Sequence, residues 1–414
     1  MIKECIILAG GLGTRLRDTV PDLPKCMAPV AGRPFLFYVI NYLRSQGIEK
    51  FIFSVGYKHE IIEAYLESHF QTLNYRSVIE DEPLGTGGAI KLALRKAEGP
   101  NVLIANGDTL FETNLERLSA LHKEKKADCT LALKSMKNFD RYGAVEINED
   151  NSIKKFHEKQ FHESGFINGG VYILNGENFL KEKLPGIFSF EKDYLEKFCE
   201  NRKMFALSGD GYFIDIGVPE DYKKAQQELA SPSFDIRSID KDWTLFIDRD
   251  GVINQEKKDD YIRNWNEFVF YDGVKEGMKI FAGRFGKIFI VSNQRGVERG
   301  LMSESDLAEI HQNMKKEIEQ EGGRIDKIYF CTSIDNKHPE RKPNPGMAFR
   351  ARKDNPSINF KKSVMIGNKP SDMQFGRNAG MYTIYLKTTH PEQELPHPDI
   401  DMAFDSLLDF AKAL

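Results

Sequence analysis

Cys5-Ile6-Ile7-Leu8-Ala9-Gly10-Gly11-Leu12-Gly13-Thr14-Arg15-Leu16, with Pro24-Lys25 shortly after, decides how the chain begins. The apolar run at 5–8 reads as a buried strand. Directly behind it, Gly10, Gly11 and Gly13 permit a sharp turn and a close approach of backbone to a ligand. Amides in such a loop cradle phosphate oxygens, and Arg15 and Lys25 add positive charge. A chain that opens this way is expected to handle a nucleoside triphosphate. A second signature, Asp248-Arg249-Asp250-Gly251, follows another short apolar strand at 244–247 and opens a separate unit. Two enzymes on one chain are expected.

The length agrees, since 414 residues suit two domains better than one core. A net charge of −4 offers no argument for a nucleic-acid or membrane partner. The five cysteines, Cys5, Cys26, Cys129, Cys199 and Cys331, show no pairing pattern, which favours a reducing cytoplasm. No apolar run approaches a membrane span, and the start does not read as a signal peptide.

Residues 1–231 alternate β-rich and amphipathic helical runs, the pattern of a parallel sheet covered by helices. Strands are expected at 3–9, 50–56, 75–80, 101–106, 129–134, 166–174 and 203–207. Helices are expected at 34–46, 58–69, 86–98, 114–126, 191–200 and 219–229. Residues 232–241, beside the breaker cluster Ser231-Pro232-Ser233, read as a linker. A second alternation fills 242–414, with strands at 243–248, 286–292, 326–331, 363–367 and 381–386 and helices at 274–283, 303–321, 345–353 and 371–379. The fold class is therefore α/β, with two doubly wound, Rossmann-like domains whose chemical residues sit at C-terminal strand ends.

In the first half, Glu82-Pro83-Leu84-Gly85-Thr86-Gly87 is a second glycine-rich turn, against which a flat base can lie. Asn106-Gly107-Asp108 ends a strand, and Phe213-Ile214-Asp215 offers a second carboxylate. Asp108 and Asp215 suit one magnesium ion, a hard cation that takes oxygen ligands. Each piece alone has a plainer explanation: a tight turn, a helix cap, a solvated lysine. Their order resembles the sugar-1-phosphate nucleotidyltransferase family across residues 1–230. Within it, Phe139–Gly143 and Phe213–Tyr222 resemble the heptose 1-phosphate guanylyltransferases. The resemblance implies that Arg15 and Lys25 neutralise phosphates and that Ala9, Gly10, Gly11, Gly13, Thr14, Gly85, Thr86 and Asn106 bind the nucleotide. It also implies that Glu158, Lys159, Asn168 and Gly169 hold the sugar phosphate. Glu80 suits the N1 and N2 edge of guanine and equally suits a surface strand end, so both readings stay open.

In the second half, Asp248 and Asp250 stand two residues apart, as nucleophile and acid/base require. With Ser292-Asn293-Gln294, Arg341-Lys342-Pro343 and Gly367-Asn368 ahead of Asp372, the order resembles the haloacid dehalogenase-like (HAD-like) phosphatases. The branch resembled contains histidinol phosphatases and heptose bisphosphate 7-phosphatases. By that resemblance Asp248 attacks phosphorus, Asp250 is acid and then base, and Ser292 and Lys342 hold the transferring phosphate. Asn293 and Arg341 contact the sugar phosphate, and Asp248, Asp250, Asn368 and Asp372 hold magnesium. Only 44 positions separate Asp248 from Ser292, so a capless site is expected. Asn368 stands where the family has an aspartate and brings no charge. One cysteine and one histidine, Cys331 and His338, do not support a four-ligand zinc site.

Together the resemblances imply two consecutive steps. Heptose 1,7-bisphosphate would lose its 7-phosphate, and heptose 1-phosphate would then take GMP from GTP. The alternative is another sugar 1-phosphate or base, mannose 1-phosphate or UTP for example, with a phosphatase-like domain that only binds. A histidinol phosphate substrate fits less well, because its product would not feed the first domain. Whether copies of the chain associate is left open by the sequence.

Overall fold

A computed structural model of the chain describes residues 2–11, 16, 20–200, 203–230, 234–257 and 260–414. They fall into two compact units, Met1–Ala230 and Ser231–Leu414.

The first unit's strands are β1 (Glu4–Leu8), β2 (Pro29–Val30), β3 (Arg33–Pro34), β4 (Lys50–Val55), β5 (Asn74–Ile79), β6 (Asn101–Asn106), β7 (Thr109–Phe111), β8 (Cys129–Phe139), β9 (Gly143–Ile147), β10 (Ile153–Lys159), β11 (His162–Asn175), β12 (Met204–Gly209) and β13 (Phe213–Asp215). Its helices are α1 (Phe35–Ser45), α2 (His59–His69), α3 (Gly85–Leu94), α4 (Leu115–Lys125), α5 (Gly176–Lys181), α6 (Glu196–Phe198) and α7 (Pro219–Glu228). The main sheet runs β10-β9-β11-β6-β1-β4-β5, with β8 on β11 and β12 on β8. Burial on both faces explains why β1 is apolar from Cys5 to Leu8. Cys5 and Ile7 enter the core on one face, and Ile6 enters the core on the other.

The sheet corrects the expectation of parallel strands throughout. β1, β4, β5 and β6 are parallel, but β11 runs antiparallel to β6, β8 and β9. β9 is only five residues long and β10 is largely charged, and neither was expected as a strand, yet they pair as a hairpin. The helix expected over 191–200 is a wide π-type turn, Phe190–Leu195, running into the short α6.

The second unit contains β14 (Thr244–Ile247), β15 (Lys287–Asn293), β16 (Lys327–Cys331), β17 (Ser363–Gly367), β18 (Tyr382–Leu386) and β19 (Met402–Phe404). Its helices are α8 (Val274–Arg284), α9 (Arg295–Glu298), α10 (Glu304–Gln320), α11 (Gly346–Asp354), α12 (Pro370–Ala379) and α13 (Leu407–Ala413). All its strands are parallel, in the order β16-β15-β14-β17-β18-β19. That order reverses between β14 and β17, where an open α/β sheet forms its ligand crevice. Leu245 and Ile247 join one core and Phe246 the other. Between β14 and α8 the described residues hold one 3-10 turn, Trp265–Glu267, and no longer helix. Of the stretch expected as a linker, Phe234 stacks on Tyr382 at 4.4 Å and Ile239 enters the second unit's core.

All five cysteines are buried and free. No described helix is long and apolar enough to cross a membrane.

Candidate functional site

In the first unit the strand order reverses between β1 and β6, so the residues after both strands share one crevice. Ala9 N–H donates to Ser54 O at 2.8 Å and Gly107 N–H to Leu8 O at 2.9 Å, which holds the two strand ends side by side. Glu80 comes up against this loop. Its Oε1 accepts from Ser54 Oγ at 3.2 Å and its Oε2 from Leu84 N–H at 3.2 Å. A Cβ on Gly10 would stand 2.6 Å from Glu80 Oε1, so the glycine makes room for that carboxylate as well as for a ligand. Burial raises the Glu80 carboxyl above its ordinary range, against the pull of its two hydrogen bonds. Gly11 is exposed beside it, whereas Gly13, Thr14 and Arg15 lie outside the described residues.

Lys25, on a 3-10 turn at Lys25–Met27, reaches between two carboxylates. Its Nζ lies 2.5 Å from Asp108 Oδ2 and 3.4 Å from Asp215 Oδ1. Burial lowers the lysine's proton affinity, but the two aspartates outweigh it and hold the ammonium charged. Asp215 is pushed up, by burial first and by Asp108 next. Two aspartates therefore share one positive charge, and the ammonium stands where a second cation could also be met by oxygen donors. The donor set fits magnesium.

Other residues singled out in the sequence are placed differently. Thr86 Oγ1 donates to Glu191 Oε2 at 2.8 Å and accepts from Phe190 N–H at 2.9 Å, so its hydroxyl ties α3 to the turn at 190–195. Gly85, at φ +71°, and Gly87 pack on Phe188, where any Cβ would collide. The Asn106 side chain lies against Gly170. Asn168 is engaged within its own strand: Nδ2 donates to Tyr172 Oη at 2.7 Å, and Oδ1 accepts from Gly170 N–H at 3.0 Å. Gly169 sits over the Phe111 ring. Lys159 is exposed at the end of β10, paired in register with Gly143, and the Glu158 side chain lies outside what is described.

The second unit brings Asp248, Lys342 and Asp372 together. Lys342 Nζ is 2.7 Å from both Asp248 Oδ1 and Asp372 Oδ1, and all three side chains are almost wholly buried. Asn293 sets the lysine's backbone, donating Nδ2 to Lys342 O at 3.1 Å and accepting Lys342 N–H at 3.0 Å. Asp372 Oδ2 accepts the Asn368 and Lys369 amides at 3.2 and 3.1 Å. Asp248 Oδ1 also accepts the Arg249 amide, while no described residue donates to Oδ2. Burial, then Asp372, raises Asp248. For Lys342, burial is outweighed by its two aspartates, which keep it protonated.

Asn368 donates Nδ2 to Thr389 Oγ1 at 2.6 Å, and its buried Oδ1 has no hydrogen-bond partner. An orphaned carbonyl oxygen costs free energy unless something satisfies it. Beside two carboxylates that share one ammonium, it fits an oxygen ligand to magnesium.

Asp250 is held differently. Arg249 Nη2 donates to both its oxygens at 2.9 Å, Asn254 Nδ2 to Oδ1 at 3.0 Å and Gln294 Nε2 to Oδ2 at 2.8 Å. Burial would raise Asp250, but Arg249 and these donors outweigh it and hold the carboxyl below its ordinary range. The side-chain oxygens are thus turned to those donors, not toward Asn368. Gln294 also donates to Ser292 Oγ at 2.7 Å, tying that hydroxyl to the same network. Arg249 is itself buried, with Nη1 3.2 Å from His311 Nε2. Arg249 and Gln294 stand inside motifs quoted from the sequence but were not given this work, and Asn254 and His311 were not singled out.

Arg341 and Arg295 share Asn336 Oδ1 as acceptor, and Arg299 lies nearby over the Tyr261 ring at 5.9 Å. Arg341 is pulled down to about 10, by burial first and then by Arg295, with Arg299 contributing. Among the described residues no carboxylate pairs with any of these three guanidinium groups. Cys331 Sγ stands 3.4 Å from His338 Nδ1.

Two unlike crevices, each at a reversal of strand order and each with a lysine between two aspartates, define a chain built for phosphate chemistry. The chain belongs to the nucleotidyl transferase family, whose model matches residues 4–231. A second model, HAD-hydrolase-like, matches residues 340–410. Among known proteins, the chain is 53 % identical over 226 residues to the D-glycero-alpha-D-manno-heptose 1-phosphate guanylyltransferase of Aneurinibacillus thermoaerophilus, covering 55 % of this chain and 98 % of that one. A protein of the same name from Campylobacter jejuni is 44 % identical over 219 residues, covering 53 % and 96 %. Among solved structures, HddC from Yersinia pseudotuberculosis complexed with GMP-PN is 36 % identical with a TM-score of 0.51, covering 55 % of this chain and 100 % of that chain.

Proposed function

We propose that the chain carries out two consecutive steps of nucleotide-sugar synthesis. The second unit removes the 7-phosphate of D-glycero-α-D-manno-heptose 1,7-bisphosphate. The first unit joins the resulting heptose 1-phosphate to GMP from GTP and releases pyrophosphate. One observation carries this reading: a unit 53 % identical to a heptose 1-phosphate guanylyltransferase shares a chain with a buried Asp248–Lys342–Asp372 cluster suited to phosphomonoester hydrolysis.

In the first unit an oxygen of the sugar phosphate attacks the α-phosphorus, a P–O bond forms, and the bond to the pyrophosphate oxygen breaks. The protein contributes position and charge. Lys25 and Arg15 neutralise phosphate oxygens, and Asp108 and Asp215 would hold a magnesium ion, which would supply charge screening for the polyphosphate. Gly10 and Gly11 line the phosphates, Glu80 meets the base, and Lys159 grips the sugar phosphate. In the second unit Asp248 Oδ2, to which no described residue donates, attacks the 7-phosphorus and forms an aspartyl-phosphate; the bond from phosphorus to the sugar oxygen breaks, and that oxygen leaves with the proton Asp250 carries into this step, which returns Asp250 to a carboxylate. Asp250, held as a carboxylate by Arg249, then takes a proton from the water that cleaves the intermediate. Lys342 and Ser292 hold the transferring phosphate, and Asp248, Asn368 and Asp372 would hold a magnesium ion, which would add positive charge beside it. The Arg295, Arg299 and Arg341 cluster, with no carboxylate partner among the described residues, suits the distal phosphate. GTP and magnesium are the implied nucleotide and metal, and the cytoplasm the implied compartment.

Phosphorus NMR of the full chain with heptose 1,7-bisphosphate, GTP and magnesium tests this. Inorganic phosphate, pyrophosphate and a nucleotide-sugar diester should all appear. Asp248→Asn should stop phosphate release while heptose 1-phosphate still yields the diester. Phosphate release that survives Asp248→Asn would overturn the assigned nucleophile. No diester from heptose 1-phosphate would overturn the transferase reading.

A further inference from the structure

The two stretches on which the sequence resembles heptose guanylyltransferases, 139–143 and 213–222, are far apart in the chain. The fold brings them together as the walls of one pocket. It has a volume of about 160 Å³ and is bounded by Asp140, Tyr142, Phe213, Asp215, Asp221 and Lys224, among others. That is well above the ~15 Å³ one water needs.

Its position links it to the transferase crevice. One boundary is Asp215, the carboxylate that shares Lys25 with Asp108. Tyr142 precedes Gly143, which lies in register with Lys159. The lining is that of a carbohydrate subsite. Tyr142 stands edge-on to Phe213 at 5.9 Å, presenting ring surface to C–H groups. Asp221 is fixed by Arg141 Nη2, 2.8 Å from its Oδ2, and no described residue donates to its Oδ1. Three carboxylates, Asp140, Asp215 and Asp221, line the pocket with Lys224 and Arg141; Arg141 is spent on Asp221 and Lys25 is shared by Asp215, so the lining keeps no surplus positive charge to draw a phosphate. A neutral chain of hydroxyls meets acceptors in these carboxylates and a donor in the Tyr142 hydroxyl.

We propose that this pocket receives the C6–C7 glycol arm of the sugar, making it the determinant that separates a heptose 1-phosphate from a hexose 1-phosphate. The inference rests on the heptose reading above. A hexose lacks the terminal carbon and leaves the carboxylates unserved, which lowers its rate relative to the heptose.

The test compares kcat/KM of the full chain for D-glycero-α-D-manno-heptose 1-phosphate and α-D-mannose 1-phosphate, in the wild type, Tyr142→Phe, Asp221→Asn and Lys224→Met. The wild type should favour the heptose at least tenfold. Tyr142→Phe and Asp221→Asn should each cut that ratio at least fivefold through KM for the heptose, with KM for GTP unmoved. If the wild type favours the heptose and no variant changes the ratio, the pocket is overturned and the heptose reading stands. If the wild type uses mannose 1-phosphate as well or better, both fall together.

Discussion

Arg249 closes on the residue next to it, donating through one nitrogen to both carboxylate oxygens of Asp250 at 2.9 Å. Adjacent residues seldom make such a contact, because neighbouring side chains diverge from an extended chain. It forms here because Arg249 is the turn residue whose carbonyl accepts the Ile253 and Asn254 amides, at 2.8 and 3.2 Å. Replacing it with methionine should leave Asp250 facing only the neutral donors Asn254 and Gln294. Phosphate release should fall on the order of a hundredfold, the scale of one acid–base contribution. Arg249→Lys should recover part of it. An unaltered rate in Arg249→Met would remove Arg249 from any part in positioning Asp250.

Asn368 makes a prediction in the opposite direction. Its Oδ1 is buried and unpartnered beside carboxylates that share Lys342. Asn368→Asp adds a negative charge at that point and should lower the magnesium concentration for half-maximal phosphatase activity about tenfold. A magnesium titration that does not move would mean that this oxygen never meets the metal.

Lys25 separates Asp108 from Asp215. In Lys25→Gln the two carboxylates face each other without a positive charge between them, and phosphate oxygens lose a counter-charge. Diester formation should drop by roughly 10²–10³. The loss should be partly offset by higher magnesium, which a pyrophosphate-release assay across metal concentrations would show.

Glu80 either reads the base or braces the Gly10 loop. Glu80→Gln keeps its shape and removes the charge-assisted pair to a guanine edge. A base-reading role predicts a fall in the GTP-to-ATP ratio of kcat/KM of about tenfold or more. An unchanged ratio with lowered thermal stability would assign it to the brace.

His122 bears on stability. It is buried, 2.9 Å from Thr130 Oγ1 and 3.1 Å from Asn101 Oδ1, and burial pushes it down to about 4 from 6.5. Its folded value lies below its unfolded one, so the unfolded chain takes up a proton first as pH falls past 6.5. Stability is full above that pH and is lost toward pH 4, by about 2 kcal/mol between pH 7 and 5. Urea unfolding of the wild type and His122→Gln at those two pH values checks it. The variant should show the shallower loss.

The chemical cores were legible because they follow apolar strands at both ends of the chain. The faces of β1 and β14 alternate as their residues require, and Asp108, Asp248 and Asn368 stand at strand ends where the crevices form. What escaped was long-range. Thr86 and Gly85 read as a base-binding turn, but their partners, Glu191, Phe190 and Phe188, lie a hundred residues on. β9 is too short for a periodicity to show, and its hairpin partner β10 is largely charged. Arg249 and His311 were invisible as a pair, because nothing local says that an arginine will be buried against a neutral histidine.

The five buried thiols make the molecule its own unfolding gauge. Burial pushes Cys26 up to about 12 and raises Cys5, Cys129, Cys199 and Cys331 as well, so little thiolate is available for alkylation in the folded chain. Four of the thiols belong to the first unit and one, Cys331, to the second. Pulsed alkylation read by mass would therefore step by four labels when the first unit opens and by one when the second does. The height of each step reports which unit yields first, with no dye, tag or engineered reporter.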